Sequence, residues 1–158
     1  MFQANIAHDA ACVLALNLGM RSAVRLVRVI QIAMLASIAL YAVLGEILSR
    51  RIAQVPADTM FHALSAISIS LAGATVVVRR TLVLPSEAAL TLRPDDALAA
   101  ARWRAGYVFL YAMCESLGLF GIVLRLAGFT LSNVWGFYLG AFLLLLLYSP
   151  RAPRTPSR

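Results

Sequence analysis

The sequence predicts an all-α membrane protein with four transmembrane helices and both termini in the cytoplasm. Of the 158 residues, 61% are hydrophobic and only 13% are charged, whereas about a quarter of the residues in a soluble domain are charged. The mean hydropathy is +0.83. The apolar residues fall into four stretches that approach the roughly 20 residues needed to cross a bilayer. The 14 basic residues, all of them Arg, cluster beside these stretches.

The predicted spans are residues 29–47, 60–78, 107–124 and 129–148. They and their connections form one membrane domain over residues 21–148. Residues 1–20 include an apolar stretch that is too short to span, and no basic residue precedes it, so we expect an interfacial segment and not a cleaved signal peptide. Residues 149–158 are rich in Pro and Arg, and we expect them to form a disordered tail.

The first span ends near Glu46, which is a secondary candidate for an ion-binding carboxyl. Arg50 follows four residues later, and Glu before Arg at this spacing forms a favourable ion pair on a helix. We therefore expect an interfacial pair between Glu46 and Arg50 in preference to a role in transport.

Small residues mark parts of the second and third spans as packing surfaces. Residues three or four apart lie on the same helix face, and small side chains there allow another helix to approach closely. We define the small-residue stripe of the second span as Ala66, Ser70, Gly73 and Ala74. In the third span, Gly118 and Gly121 are expected to leave room for a neighbouring helix in the same way.

The longest polar connection, residues 79–106, is predicted to be a cytoplasmic loop because it holds five Arg. Pro94, Asp95 and Asp96 are typical of a helix start, so we expect a helical extension that leads into the third span. Eleven Arg lie in the N-terminal flank, this loop and the tail, against three in the other two loops. The positive-inside rule then places both termini in the cytoplasm of a multi-pass cell-membrane protein, in the inner membrane if the source is bacterial.

Glu115 is the one charge within the third span and lies close to its middle. An ionised and unpaired carboxylate at that depth costs several kcal/mol. Arg125 is ten residues, or ~15 Å, away along the same helix, which is too far for a pair. We therefore expect a protonated Glu115 that is hydrogen-bonded to Tyr111, one turn earlier, or to a hydroxyl of the second span. Glu115 and Tyr111 are the candidates for a proton- or ion-binding site.

The sequence of residues 115–124, ESLGLFGIVL, resembles the ion-binding helix of rotary ATPase proteolipids, the c subunits. In that family, small and aliphatic residues and an aromatic–Gly pair follow a membrane carboxylate. A helix rich in small residues and a polar loop with Arg and Pro precede it. The resemblance covers one helix well, and it implies that Glu115 is a reversible proton site.

Three functions stay open at this point, and we favour the first. The chain is a non-catalytic scaffold or accessory subunit in which Glu115 only bonds a neighbouring helix, or it handles protons or cations through Glu115, or it is a small proton-coupled exporter. No nucleophile–base set, nucleotide loop or metal cluster indicates an enzyme, so we predict no catalytic residue, metal or cofactor.

The Arg clusters adjoin apolar stretches, which indicates anchoring at a membrane and not binding to nucleic acid. The expected partners are the lipid bilayer and either further copies of this chain or a larger membrane complex.

Overall fold

The computed structural model describes the backbone of residues 2–49, 58–93 and 96–150, and the side chains of these ranges from residue 22 onward. The described residues are helical almost throughout and contain no strand, which confirms the predicted all-α class. Within them, three helices are long and apolar enough to cross a membrane, namely Ser22–Ser49, Asp58–Leu92 and Ala97–Leu126. A further helix, Leu131–Leu147, is apolar but shorter, with 17 residues.

The helices are α1 (Phe2–Ser49), α2 (Asp58–Val78), α3 (Leu84–Leu92), α4 (Ala97–Leu126) and α5 (Leu131–Leu147). The predicted interfacial segment, residues 1–20, is part of α1 from residue 2 onward, and the helix continues through Gly19 without a break. Of the predicted tail, residues 151–158 lie outside the described residues.

α4 is the central helix of the bundle, and α1, α2 and α5 all pack against it. Its buried positions recur at three- and four-residue intervals, as in Leu110, Cys114, Leu117 and Leu124, and so form one apolar face. α2 lies at the edge of the bundle, where Thr75 is its buried residue.

Residues 79–92, which the sequence assigns to a loop, are helical, and α4 includes the helical extension that the sequence predicts before the third span. A π-helical segment, Arg79–Val83, joins α2 to α3, and the helical backbone ends only at Leu92. Pro85 lies at the start of α3 and has no N–H to bond to the preceding turn. Its ring would also clash with that turn in an ordinary α-helix, and the wider π-helical turn makes room for the ring. Val83 and Leu90 are buried, so packing holds the extension in place.

α3 ends at Leu92, and α4 begins at Ala97. The side chain of Asp96 accepts a hydrogen bond from the main-chain N–H of Ala99 at 3.0 Å, which caps the helix. Pro94 and Asp95, which the sequence also assigns to this helix start, lie outside the described residues.

Candidate functional site

Glu115 on α4 is hydrogen-bonded to a tyrosine of a neighbouring helix. The hydroxyl of Tyr41 on α1 donates a hydrogen bond to Oε1 of Glu115 on α4, at 2.8 Å. A Cβ at Gly118 would lie 3.2 Å from Cγ1 of Ile38 and 3.6 Å from Cδ2 of Tyr41. The absence of a side chain at Gly118 therefore lets α1 come close enough for this bond.

The carboxyl of Glu115 lies at the border between the buried and the exposed faces of α4. Glu115 is half-buried; Cys114 and Gly118 beside it are buried, whereas Ala112 and Leu119 are exposed. The side chain is therefore accessible from the outer surface of the bundle as well as bonded within it.

Tyr111 does not bind Glu115, so this part of the prediction is wrong. Its hydroxyl donates instead to the main-chain carbonyl of Tyr148, at 3.0 Å, and its ring is fully buried. A long side chain on an α-helix points back toward the helix N-terminus, so Tyr111 extends away from the residue four positions later. No hydroxyl of the second span takes its place, because the bond to Glu115 comes from α1.

A group of polar contacts around Tyr148 fastens the end of α5. Nε2 of Gln31 donates to the carbonyl of Leu145 at 2.6 Å, and the hydroxyls of Thr75 and Tyr148 are 3.2 Å apart. The last carbonyls of a helix have no partner within the helix. Gln31 supplies a donor for the carbonyl of Leu145, and Tyr111 supplies one for the carbonyl of Tyr148. These contacts connect α1, α2 and α4 to the same end of α5.

Glu46 forms an ion pair with Arg125 at the other end of the bundle. Nη2 of Arg125 lies 2.8 Å from Oε2 of Glu46, and Nη1 donates to the carbonyl of Phe129 at 2.8 Å. The exposed fraction of the side chain is 16% for Arg125 and 36% for Glu46. Arg50, the partner that the sequence predicts for Glu46, lies outside the described residues.

Tyr138 of α5 is wedged between two glycines close to this ion pair. A Cβ at Gly121 would lie 2.8 Å from Cε1 of Tyr138, and a Cβ at Gly45 would lie 3.1 Å from its hydroxyl. The Tyr138 hydroxyl is buried, and among the described residues it has no hydrogen-bond partner. Gly121 thus provides the close approach that the sequence predicts for it, and the contacting helix is α5.

Glu87 is a third carboxyl that is bound across helices, and the sequence reasoning missed it. Oε1 of Glu87 on α3 accepts hydrogen bonds from the Tyr107 hydroxyl at 3.0 Å and from Nε1 of Trp103 at 3.4 Å. The only sequence signal is that Trp103 and Tyr107 are four residues apart and so share a face of α4.

Most of the small-residue stripe of α2 faces away from the other helices in the part of the chain that the structure describes, so contact of the stripe with a helix of another molecule stays a prediction. Ala66, Ser70 and Gly73 are exposed and Ala74 is half-buried, and a Cβ at Gly73 would meet nothing within 4 Å. α2 instead turns larger residues toward the core, namely Leu64, Leu71, Thr75 and Val78. Burying these side chains removes more apolar surface from water or lipid contact than burying the stripe would.

A groove of about 390 Å³ separates the middle of α2 from the middle of α5. We define this α2–α5 groove by Ser65, Ser68, Ala72, Leu117, Gly136 and Gly140. A Cβ at Gly136 or at Gly140 would meet nothing within 4 Å, so these two glycines leave open space and do not serve contact within the chain. The sequence reasoning missed this Gly-x-x-x-Gly pair.

In the part of the chain that the structure describes, no three His, Cys, Asp or Glu side chains come together as a metal-binding group. The candidates that the sequence proposes for ion binding are therefore separate sites, with Glu115 bound to Tyr41, and Glu46 bound to Arg125. No protein-family model, no curated protein and no solved structure matches this chain, so the likeness to the c subunits stays a resemblance of one helix.

Proposed function

We propose that this protein is a non-catalytic scaffold or accessory subunit that crosses a cell membrane four times with both termini in the cytoplasm. The three long apolar helices and α5 supply the four crossings. At ~1.5 Å per residue, the 17 residues of α5 extend over ~26 Å, close to the thickness of the hydrocarbon core.

One observation carries the scaffold role: Glu46, Glu87 and Glu115 each bind a donor on a different helix. Glu46 and Glu115 join α1 to α4, and Glu87 joins α3 to α4. A carboxyl is expensive to place within a membrane, and Glu115 is tolerated there because it bonds a neighbouring helix. In each case the donor comes from α4 or α1, so the carboxyls stabilise one arrangement of the helices.

The proposed orientation predicts which side of the membrane α3 and the start of α4 face. Ala88→Cys and Ala97→Cys, each in a background that lacks Cys12 and Cys114, place a thiol at an exposed position. We expect both thiols to be protected from an impermeant maleimide added to intact cells, and to react after the membrane is permeabilised. Reaction of either thiol in intact cells would show that the orientation is reversed.

Proton handling through Glu115 is the second candidate, and the position of Glu115 at the border of the exposed face of α4 favours it. A carboxyl there is within reach of a neighbouring subunit, and the Tyr41 hydroxyl beside it donates a hydrogen bond to it. The resemblance to the c subunits points to the same residue.

Liposomes distinguish the two candidates without knowledge of a substrate. The chain is reconstituted with a pH-sensitive dye inside, and a potassium diffusion potential provides the driving force. A scaffold gives the same proton flux as protein-free liposomes, whereas proton handling by this chain gives a flux that Glu115→Gln abolishes. A flux that survives Glu115→Gln would exclude Glu115 as its site.

Labelling with a hydrophobic carbodiimide tests the surroundings of Glu115. The reagent modifies protonated carboxyls in apolar places, so we expect Glu115 to react faster than Glu46, which is paired with Arg125, and faster than Glu87. Glu115→Gln should abolish the fast reaction and preserve folding, because the amide oxygen still accepts the bond from Tyr41. Mass spectrometry of the peptides identifies the modified residue, and faster modification of Glu46 would contradict the expectation.

A further inference from the structure

The α2–α5 groove lies between two contacts that join α2 to α5, and its side is open. At one end the ring of Phe61 on α2 contacts the rings of Phe129 and Phe137, with centroids 5.5 Å and 6.1 Å apart. At the other end the hydroxyls of Thr75 and Tyr148 meet at 3.2 Å. An occupant therefore enters from the side, which in a membrane is the hydrocarbon core.

A helix with its side chains is about 10–12 Å wide. The contacts between Phe61 and Phe137 and between Thr75 and Tyr148 join α2 to α5 at the two ends of the groove, so a helix would pack across its open side and not within it. A hydrocarbon chain is much thinner than a helix and fits between these ends.

The lining favours a hydrocarbon chain for a second reason. Leu117, Gly136, Gly140 and Ala72 expose carbon to the groove, and the hydroxyl of Ser68 is bound to the carbonyl of Leu64 at 2.7 Å. Atoms of the groove wall that contact nothing gain no dispersion attraction on that side, and a hydrocarbon chain in the groove would supply the missing contacts.

Positive charge lies just beyond the end of the groove nearest Tyr148. The guanidinium carbon of Arg79 is 5.5 Å from the centre of the Tyr148 ring, and Arg80 is exposed. Arg79 follows Ala72 by seven residues, or ~10 Å along the helix. In the described part of the chain neither Arg forms an ion pair, so both can bind an anionic group. Arg binds phosphate through paired hydrogen bonds.

We propose that the α2–α5 groove binds one acyl chain of an anionic phospholipid whose phosphate is held by Arg79 and Arg80. The neutral groove contributes affinity for the acyl chain of the lipid, and Arg79 and Arg80 contribute selectivity for its headgroup. This inference is independent of whether the protein is a scaffold or handles protons.

Native mass spectrometry of the purified chain tests the proposal. The chain in mild detergent is mixed with equal amounts of phosphatidylglycerol and phosphatidylcholine that carry the same acyl chains. We expect one retained phosphatidylglycerol per chain. Arg79→Gln and Arg80→Gln should each lower the preference for phosphatidylglycerol about fivefold, since an Arg near the headgroups contributes on that order.

Filling the groove separates chain binding from headgroup binding. Gly140→Leu should lower retention of both lipids at least tenfold, because its side chain takes up the space of the acyl chain. Gly73→Leu is the matched control: its Cβ also meets nothing within 4 Å, but it lies outside the groove, so retention should be unchanged. If Gly140→Leu fails to fold, Gly136→Leu on the same wall gives the same readout.

Three outcomes would overturn the proposal. Unchanged lipid retention in the folded Gly140→Leu or Gly136→Leu variant would remove the groove as the site. Equal retention of the two lipids by the unmodified chain would remove the role of Arg79 and Arg80. Retention of a second copy of the chain that Gly140→Leu abolishes would show that the groove serves contact between copies.

Discussion

Gly121→Ala is expected to lower the free energy of unfolding by about 2 kcal/mol, since inserting even one methyl group into a tightly packed contact costs this much. The added Cβ would lie 2.8 Å from Cε1 and 2.9 Å from Cζ of Tyr138. A Cβ at Gly45 would lie 3.1 Å from the Tyr138 hydroxyl, so α1 comes near the far end of this side chain and limits its movement. Thermal unfolding in mild detergent, followed by circular dichroism, measures the effect.

Two further variants control this prediction. Gly136→Ala adds the same methyl group where it meets nothing, so it should leave stability unchanged or raise it by up to about 1 kcal/mol through helix propensity. Gly121→Ala combined with Tyr138→Leu should cost less than the sum of the two single changes, because the smaller side chain removes the clash. Equal stability of Gly121→Ala and Gly136→Ala would contradict the packing of Tyr138 against Gly121.

Arg125→Met is expected to lower the free energy of unfolding by about 2–3 kcal/mol. The change removes the ion pair with Glu46 and the hydrogen bond to the carbonyl of Phe129, and it leaves a half-buried carboxylate without this partner. Removing one partner of a fully buried ion pair costs about 3–5 kcal/mol. The partial exposure of Glu46 lowers the cost expected here. The same unfolding measurement applies.

The double variant Glu46→Gln/Arg125→Met tests the origin of that loss. It should recover about 1 kcal/mol relative to Arg125→Met alone, because a neutral amide costs less than a carboxylate at a partly buried position that has lost Arg125. Glu115→Gln is the matched control for the carboxyl-to-amide change, since Glu115 bonds a neutral hydroxyl, and it should have little effect. An Arg125→Met variant as stable as the unmodified chain would show that the Glu46–Arg125 pair does not hold α1 to α4.

Part of the candidate site could be predicted from the sequence because it depends on neighbours along one helix. The cost of Glu115 in a membrane, its distance from Arg125 and the room left by Gly118 and Gly121 all follow from position on a single helix. The partner of Glu115 does not, since Tyr41 lies 74 residues earlier in the chain. The sequence reasoning chose Tyr111 at the right spacing but overlooked the direction in which its side chain points.

The sequence by itself determined that the chain is helical with membrane-length apolar stretches. Hydropathy and segment length are properties of each stretch alone and do not depend on its tertiary contacts. The sequence also identified small residues on two helices. Only the tertiary structure decided which of them face another helix, namely Gly118 and Gly121 but not the small-residue stripe of α2. It also paired Glu46 with Arg125 across 79 residues and left the groove between α2 and α5. These features depend on which helix faces pack together, and that depends on the fit and hydrogen bonds of side chains from several helices, which no single stretch encodes.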